Sequence, residues 1–201
     1  ILGMTLWQVG GNDLEFTQAM RFTTFNVTSI LTGTGYATDD YSQWGGFAVV
    51  MFFFVMFIGG CVGSTSCGIK IFRFQILYAA ARTQMARLLQ PHGVFVANFN
   101  RRPIPESVMD SVMSFFFLFA LSFAAIAVGL SLMGLDFLTA VSGAGTAIAN
   151  VGPGLGDVIG PSGTFAPLPD MAKWLLAAGM LLGRLELLTV MVLFTRTFWR
   201  G

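Results

Sequence analysis

Two short glycine-rich stretches carry residues whose types and spacing suit the binding of a dehydrated cation. One is residues 32–36, Thr-Gly-Thr-Gly-Tyr, and the other is residues 150–154, Asn-Val-Gly-Pro-Gly. An ion filter can replace the water shell of potassium with backbone carbonyl oxygens, and glycine accepts the backbone angles that turn carbonyls toward one axis. Both stretches are therefore predicted to be filter segments, with Gly35 and Gly152 at corresponding places. The residues predicted to bind potassium are Thr32, Gly33, Thr34, Gly35, Asn150, Val151 and Gly152.

The alternative for both stretches is a pair of ordinary glycine turns between helices. Each stretch, however, follows a short helical segment, residues 14–30 in the first case and residues 137–149 in the second. About 20 residues are needed to span a bilayer, so these segments suit re-entrant helices that other helices shield from lipid. The matching placement of the two stretches favours the filter interpretation.

A third stretch of small residues, 59–68, interrupts an apolar segment and is not expected to continue a regular helix. Irregular backbone at membrane depth is tolerated only where it lines a cavity or is buried in protein. One alternative is a packing device, because Gly59 and Gly63 form a small-xxx-small pair. A nucleotide-binding P-loop is excluded, because Ile69 stands where that motif needs lysine and no strand precedes it.

Arg184 lies near the middle of the apolar segment 171–199. A charge at that depth costs about 2.5–3.5 kcal/mol on insertion scales, so such a residue is usually functional or paired. Pairing with Glu186 is the simple alternative, but residues two apart do not share a helix face. Arg184 is therefore a candidate functional residue, and a salt bridge with Glu186 remains the alternative.

The composition indicates a membrane protein. Hydrophobic residues make up 55% of the chain and charged residues 10%, whereas soluble domains carry about 25% charged residues. The net charge of +1 implies no nucleic acid or other polyelectrolyte partner. Cys61 and Cys67 are expected to be small buried residues, because one cysteine pair without a nearby histidine is a poor metal site. The first residues lack the features of a signal peptide, and the chain is expected to be a fragment.

The two glycine stretches sit in the same order of parts. Each follows a short helix and precedes a loop and a long apolar helix, which predicts an internal repeat. The predicted fold is therefore an all-α membrane protein made of helix–pore-loop–helix repeats. The long segments are residues 44–58, continued by residues 69–89, then residues 107–133 and 171–199. The predicted units are residues 1–90 as the end of one repeat, residues 91–106 as a cytoplasmic linker, and residues 107–201 as a complete repeat.

Charge placement predicts the orientation of the chain in the membrane. Residues 70–102 hold six of the eleven Lys and Arg residues, and Arg196 and Arg200 follow the last apolar segment. The positive-inside rule places both regions in the cytoplasm. The loops beside the glycine stretches are mostly acidic and are placed outside, where they would concentrate cations. Their acidic residues are Asp13, Glu15, Asp39, Asp40, Asp136, Asp157 and Asp170.

Together these stretches resemble the carboxy-terminal half of the membrane subunit of Trk/Ktr-type potassium uptake systems, the TrkH and KtrB proteins. The most specific parts are residues 32–36, 59–70, 150–154 and 183–186, and the resemblance covers nearly the whole chain. Pro153 departs from the aromatic residue usual in potassium channels but is typical of the fourth repeat in this family.

The resemblance implies four repeats in one chain, of which this chain would hold the end of the third and all of the fourth. It also implies that residues 59–68 form an intramembrane gating loop beneath the filter, next to an arginine barrier. The residues assigned to the gate are Gly59, Gly60, Gly63, Ser64, Thr65, Ser66, Gly68 and Arg184.

The same resemblance implies partners. They are an amino-terminal half with two further repeats, a second copy in a homodimer, the lipid bilayer, and a cytoplasmic nucleotide-binding subunit of TrkA or KtrA type. Residues 70–102 offer a docking surface for that subunit, although positive-inside placement alone explains their charge.

The expected function is potassium transport across the bacterial inner membrane, with potassium as substrate and no covalently bound cofactor. No nucleophile–base–acid constellation supports an enzyme, and no residue indicates coupling to protons or sodium. Two alternatives remain open, a less selective sodium/potassium transporter and a non-conducting membrane scaffold.

Overall fold

The computed structural model describes residues 1–11, 14–64, 66–90, 92–93, 95–100, 102–184 and 199. Within these residues the chain is mostly helical, as predicted. The elements in chain order are α1 (Leu2–Gly11), α2 (Phe16–Thr32), a 3-10 turn (Tyr41–Gln43), α3 (Gly46–Val55), α4 (Ile71–Leu89), β1 (Asn98–Phe99), β2 (Arg102–Pro103), α5 (Glu106–Leu132), α6 (Phe137–Ala149) and α7 (Asp170–Arg184).

The two short helices both end in a left-handed residue. Helix α2 ends where Gly33 adopts a φ of 73°, and helix α6 ends where Asn150 adopts a φ of 56°. A left-handed residue after a helix lets the next amide groups bond the last carbonyls and turns the chain sharply. Thr32 is consequently the last residue of α2, and the turn into the first glycine stretch begins at Gly33.

Helix α6 is buried along nearly its whole length. The predicted bounds 137–149 are those observed, and Asp136 caps the helix as its side chain accepts a hydrogen bond from the Thr139 amide at 3.1 Å. At 1.5 Å per residue its 13 residues span about 20 Å, which is too short for a bilayer core of about 30 Å. Helices α5 and α7 pack against it and against each other.

The predicted helix over residues 44–58 is shorter than expected. Helix α3 covers Gly46–Val55, and the following irregular segment includes residues 59–68 up to the start of α4 at Ile71. The ends of this segment are paired, because Ile58 and Ile69 form a parallel bridge. The Ile69 amide donates to the Phe57 carbonyl at 2.8 Å, and the Gly59 amide donates to the Ile69 carbonyl at 2.8 Å. Gly59 and Gly63 therefore do not form a packing pair on a helix.

Three further observations concern the ends and the linker. Gly10 and Gly11 are the last two residues of α1. Two-residue antiparallel strands, β1 and β2, lie inside the predicted linker 91–106. The predicted third long helix begins at Asp170 and is described as far as Arg184, so Glu186 lies outside the described residues.

Helix α5 is the one helix, in the ranges described, that is long and apolar enough to cross a membrane. Its 27 residues leave a row of exposed apolar side chains on one face. These residues are Phe117, Leu121, Val128 and Leu132.

The packing of α7 on α6 depends on Gly183. A Cβ at this position would overlap the carbonyl oxygen of Ile148. We expect Gly183→Ala to destabilise the full-length protein by about 1–3 kcal/mol, because overpacking against a backbone atom cannot be relieved by a rotamer change. Thermal unfolding in detergent measures the effect. Gly3→Ala is the matched control, because no atom lies within 4 Å of the added carbon, and an equal loss in both variants would contradict the assignment.

Candidate functional site

The two glycine stretches meet in space. A Cβ added to Gly35 would lie 3.0 Å from the Val151 carbonyl oxygen and 3.2 Å from Cδ of Pro153. A Cβ added to Gly152 would lie 3.8 Å from the Gly35 Cα. Both glycines have positive φ, 78° and 117°. The backbones of residues 33–36 and 150–154 therefore approach at a point where side chains do not fit.

Side chains on the first short helix position the first stretch. Asn26 is fully buried, and its Oδ1 accepts a hydrogen bond from the Thr38 amide at 3.0 Å. Its Nδ2 donates to Thr38 Oγ1 at 3.2 Å and to the Phe22 carbonyl at 3.0 Å. The amides of Thr34 and Gly35 both donate to the Ser29 carbonyl, at 2.9 Å and 3.4 Å. The turn is thus fixed at both of its ends.

The second stretch is held in a parallel way by different residues. Buried Ser142 accepts from the Leu155 amide at 3.0 Å and donates to the Leu155 carbonyl at 3.3 Å. Thr146 Oγ1 accepts from the Gly152 amide at 3.0 Å, and its carbonyl accepts from the Val151 amide at 3.1 Å. Because Ser142 reaches thirteen residues forward and Asn26 reaches twelve, the two short helices hold their outgoing chains in the same manner.

The side chain of Asn150 is used inside the protein. Its Nδ2 donates to the Met180 carbonyl on α7 at 3.0 Å. This leaves the Asn150 backbone carbonyl, rather than its amide side chain, as the group that could face an ion. On the first stretch Thr32 and Thr34 are exposed, and their hydroxyls lie 2.8 Å apart.

A serine links the loops that follow the two stretches. Ser42 Oγ accepts a hydrogen bond from the Gly156 amide at 3.2 Å. Ser42 also follows Asp40, whose carboxylate accepts from the Ser42 amide at 3.1 Å. The two outgoing loops are therefore joined directly as well as through the core.

Residues 59–68, which we call the inner loop, lie against the inner end of both stretches. The Gly68 amide donates to the Ala149 carbonyl, the last residue of α6, at 2.8 Å. Cys67 lies beside Gly33, because a Cβ added to that glycine would be 2.5 Å from Cys67 Sγ. Cys67 is half-buried and Cys61 is exposed, so the expectation that both are buried is wrong for Cys61.

Serine side chains hold the inner loop in shape. Ser66 Oγ accepts from the Gly60 amide at 2.7 Å and lies 2.8 Å from Ser64 Oγ. Gly63 has a φ of 83° and open space around it. Of the residues assigned to the gate, Thr65 lies outside the described residues.

A cavity of about 270 Å³ lies between the inner loop and helices α4 to α7. Three cationic side chains line it, Lys70, Arg73 and Arg184. The Arg73 guanidinium lies 3.8 Å from the centre of the Phe115 ring. Arg184 thus shares a cavity with Ser64, Ser66, Cys67 and Gly68 of the inner loop.

The placement of Lys70 corrects one expectation. The sequence grouped it with the basic residues of a cytoplasmic docking surface. In the structure its ammonium group donates to the Ser64 carbonyl at 2.8 Å and to the Ser66 carbonyl at 2.6 Å. Lys70 is therefore bound by the inner loop, and among the residues of that basic group that the structure describes, Arg82, Arg87 and Arg102 are exposed.

The arrangement suits a cation rather than an anion at the glycine stretches. Helices α2 and α6 both end directly before them, at Thr32 and Ala149. The carboxyl end of a helix carries partial negative charge, which favours a nearby cation. Sequence reasoning did not identify Asn26, Ser142 or Thr146 as supporting residues, because polar residues on short amphipathic helices have no distinctive spacing.

Comparison with known families and proteins agrees with this geometry. The family model described as "TrkH: Cation transport protein" matches residues 12–200. The Trk system potassium uptake protein TrkI of Halomonas elongata is 56% identical over 200 residues, which is all of this chain and 40% of the relative. The Trk system potassium uptake protein TrkH of Escherichia coli K12 is 38% identical over 176 residues, which is 88% of this chain and 36% of the relative.

A solved structure has the same fold. The crystal structure of the potassium transporter TrkH from Vibrio parahaemolyticus superimposes with a TM-score of 0.90 at 35% sequence identity. The match covers 98% of this chain and 42% of the crystallised chain. This chain therefore spans about two fifths of the length of the relatives that it matches.

The role of the Asn26 hydrogen bonds in holding the first glycine stretch can be tested without a transport assay. We expect Asn26→Leu to raise hydrogen–deuterium exchange in a peptide covering residues 33–38 by roughly tenfold or more, because an unpaired buried amide costs about 1–3 kcal/mol. Mass spectrometry of the full-length protein in detergent measures the exchange. Asn98→Leu is the control, because Asn98 is exposed and far along the chain. Unchanged exchange in the Asn26 variant would contradict the supporting role.

Proposed function

The chain belongs to the TrkH family of cation transport proteins, and on that premise we propose that it forms part of a potassium conduction path. The observation that carries the proposal is the meeting of Gly35 and Gly152 at a point where only backbone fits. Backbone carbonyls on two segments that converge on one place can replace the hydration shell of a monovalent cation. We infer potassium as the ion because the relatives are potassium uptake proteins.

The proposed filter residues are those of the two glycine stretches. Each segment contributes backbone carbonyls, and the first also offers the exposed hydroxyls of Thr32 and Thr34. Two further segments, from the part of the full-length protein outside this chain, would complete the ring. The proposed division of the chain is residues 1–90, 91–106 and 107–201, in which the first and last units each contribute one filter segment.

The inner loop is the proposed gate. It lies directly beneath the filter segments, where Cys67 adjoins Gly33 and the Gly68 amide bonds the end of α6. The proposed gate includes Gly59, Gly60, Gly63, Ser64, Thr65, Ser66 and Gly68 together with Arg184. Arg184 would oppose a cation in the cavity that it shares with Ser64 and Ser66.

The setting is proposed to be the bacterial inner membrane. The exposed apolar row on α5 supports contact with lipid or with a further helix. The full-length protein is proposed to act as a homodimer with a nucleotide-binding cytoplasmic subunit. Arg82, Arg87 and Arg102 would contribute to that contact, because they are exposed on the segment predicted to face the cytoplasm.

Substitution of Gly35 by serine tests the proposed filter. Gly35→Ser in the full-length protein places a side chain against the Val151 carbonyl and at a φ of 78°. We expect potassium uptake to fall by at least about tenfold, or the potassium-to-sodium flux ratio to fall by that factor. Uptake by a bacterial strain lacking its own potassium uptake systems, and isotope flux into proteoliposomes, measure these quantities.

Gly46→Ser is the matched control for this test, because no atom lies within 4 Å of the added carbon, and it should leave uptake unchanged. Intact uptake and selectivity in Gly35→Ser would contradict the assignment of Gly35 to the filter, and no potassium flux through the unchanged protein in proteoliposomes would favour a non-conducting scaffold. Equal potassium and sodium flux through the unchanged protein would favour the less selective transporter.

The proposed barrier is tested by Arg184→Gln. Removing the positive charge should raise the resting potassium flux of proteoliposomes by roughly tenfold, because repulsion between two cations in a partly dehydrated cavity is worth more than about 1 kcal/mol. Arg102→Gln on the exposed strand β2 is the control. Flux that stays at the parental value in Arg184→Gln would remove Arg184 from the conduction path.

A further inference from the structure

The inner loop already holds a cation, and that cation belongs to the chain. Four oxygen atoms of Ser64 and Ser66 surround the Lys70 ammonium. The two carbonyl oxygens lie at 2.8 Å and 2.6 Å, and the two hydroxyl oxygens lie at 3.3 Å and 3.5 Å. Hydrogen bonds between an ammonium group and carbonyl oxygens are charge-assisted and stronger than those between neutral groups.

The position of Lys70 in the chain makes this contact unusual. Lys70 precedes the first residue of α4, and its side chain makes no capping bond to that helix. A positive charge at the amino end of a helix is unfavourable, because the exposed amides there already carry partial positive charge. The loop oxygens supply the compensating interaction, so the contact stabilises the loop rather than the helix.

The Lys70 ammonium binds the middle of the inner loop, at Ser64 and Ser66, rather than its paired ends. The loop ends are fixed by the bridge between Ile58 and Ile69. Between them, a Cβ added to Gly63 would have no atom within 4 Å, and Cys67 lies against Gly33 at the start of the first glycine stretch. The ammonium group therefore binds the loop between Gly63 and Cys67.

We propose that Lys70 is a tethered cation that holds the inner loop closed, occupying loop oxygens that would otherwise be available to a permeating monovalent cation. Lys70 is a positioning residue in this proposal, because it acts through the loop. The proposal rests on the proposed function for its consequence on flux, but the closure itself can be measured without any transport.

The measurement of closure uses Cys67 as a reporter in the full-length protein with every other cysteine replaced. A small neutral methanethiosulfonate reagent is used, so that the charge at residue 70 does not itself change the reaction rate. It reacts with the half-buried Cys67 faster when the loop moves away from Gly33. Lys70→Met should react at least roughly tenfold faster than the parent, which corresponds to the loss of one charge-assisted hydrogen bond. Lys70→Arg keeps a cation with several donors and should react within about threefold of the parent.

Lys173→Met is the matched control, because it removes the other lysine of the chain from a surface ion pair with Asp170. It should leave the rate at the parental value. An unchanged rate in Lys70→Met would overturn the proposal. A rate in Lys70→Arg as fast as in Lys70→Met would also overturn it, because the closure would then not depend on charge.

Flux provides the second readout. The resting potassium flux of Lys70→Met in proteoliposomes should rise with the Cys67 reaction rate, and a fall in flux despite faster reaction would overturn the assignment of Lys70 to closure. If the parent carries no potassium, the proposed function fails while the Cys67 rates still decide the closure. Size-exclusion profiles and the unfolding midpoint identify a misfolded variant, for which Lys70→Gln replaces Lys70→Met in both measurements.

Discussion

The structure depends on a close approach of two backbones that leaves no room for side chains. Gly35 contacts the segment that contains Val151 and Pro153, and both glycines at the approach have positive φ. Such an approach is stable only if the incoming helices stop short and their last carbonyls are satisfied by the turning chain. The left-handed residues after α2 and α6 do this, and they also direct the partial negative charge of both helix ends toward the same place.

Different side chains hold the two glycine stretches, and the chain that follows each, in similar backbone conformations. The first half uses a buried asparagine that bonds the outgoing chain through both its amide and its carbonyl. The second half uses a serine and a threonine, whose single hydroxyls bond the outgoing chain at two separate points, thirteen and six residues further along. Because the supporting residue in each half is fully buried, the polar groups contribute only when their bonds are complete. This explains why the backbone geometry is shared although the sequences of the two halves differ.

Much of this architecture can be predicted from the sequence, because glycine-rich stretches indicate turns and the lengths of the segments between them indicate which helices are too short to span a membrane. Helix α6 was predicted with its observed bounds, since Asp136 marks its beginning and apolar small residues fill it. The irregular backbone of residues 59–68 follows from its composition. The short α3 was not predicted, because its hydrophobic residues continue beyond the point where backbone pairing with Ile69 ends the helix. The contact between Lys70 and the inner loop was also missed, since charge placement assigns a lysine to a membrane face without specifying its partner.

Backbone pairing joins the chain on either side of the proposed gate. Because the Ile69 amide and carbonyl bond Phe57 and Gly59, a rearrangement of the proposed gate would leave the chain joined at this point. Lys70 lies outside the paired ends, on the first residue before α4, whereas its oxygen partners lie inside them. Lys70 is joined directly to Ile71, the first residue of α4. A small rotation or axial shift at the start of α4 would therefore move the Lys70 ammonium relative to the inner loop. Helix α4 continues for 19 residues from this point and carries the exposed Arg82 and Arg87, so it would act as a lever between that surface and the inner loop.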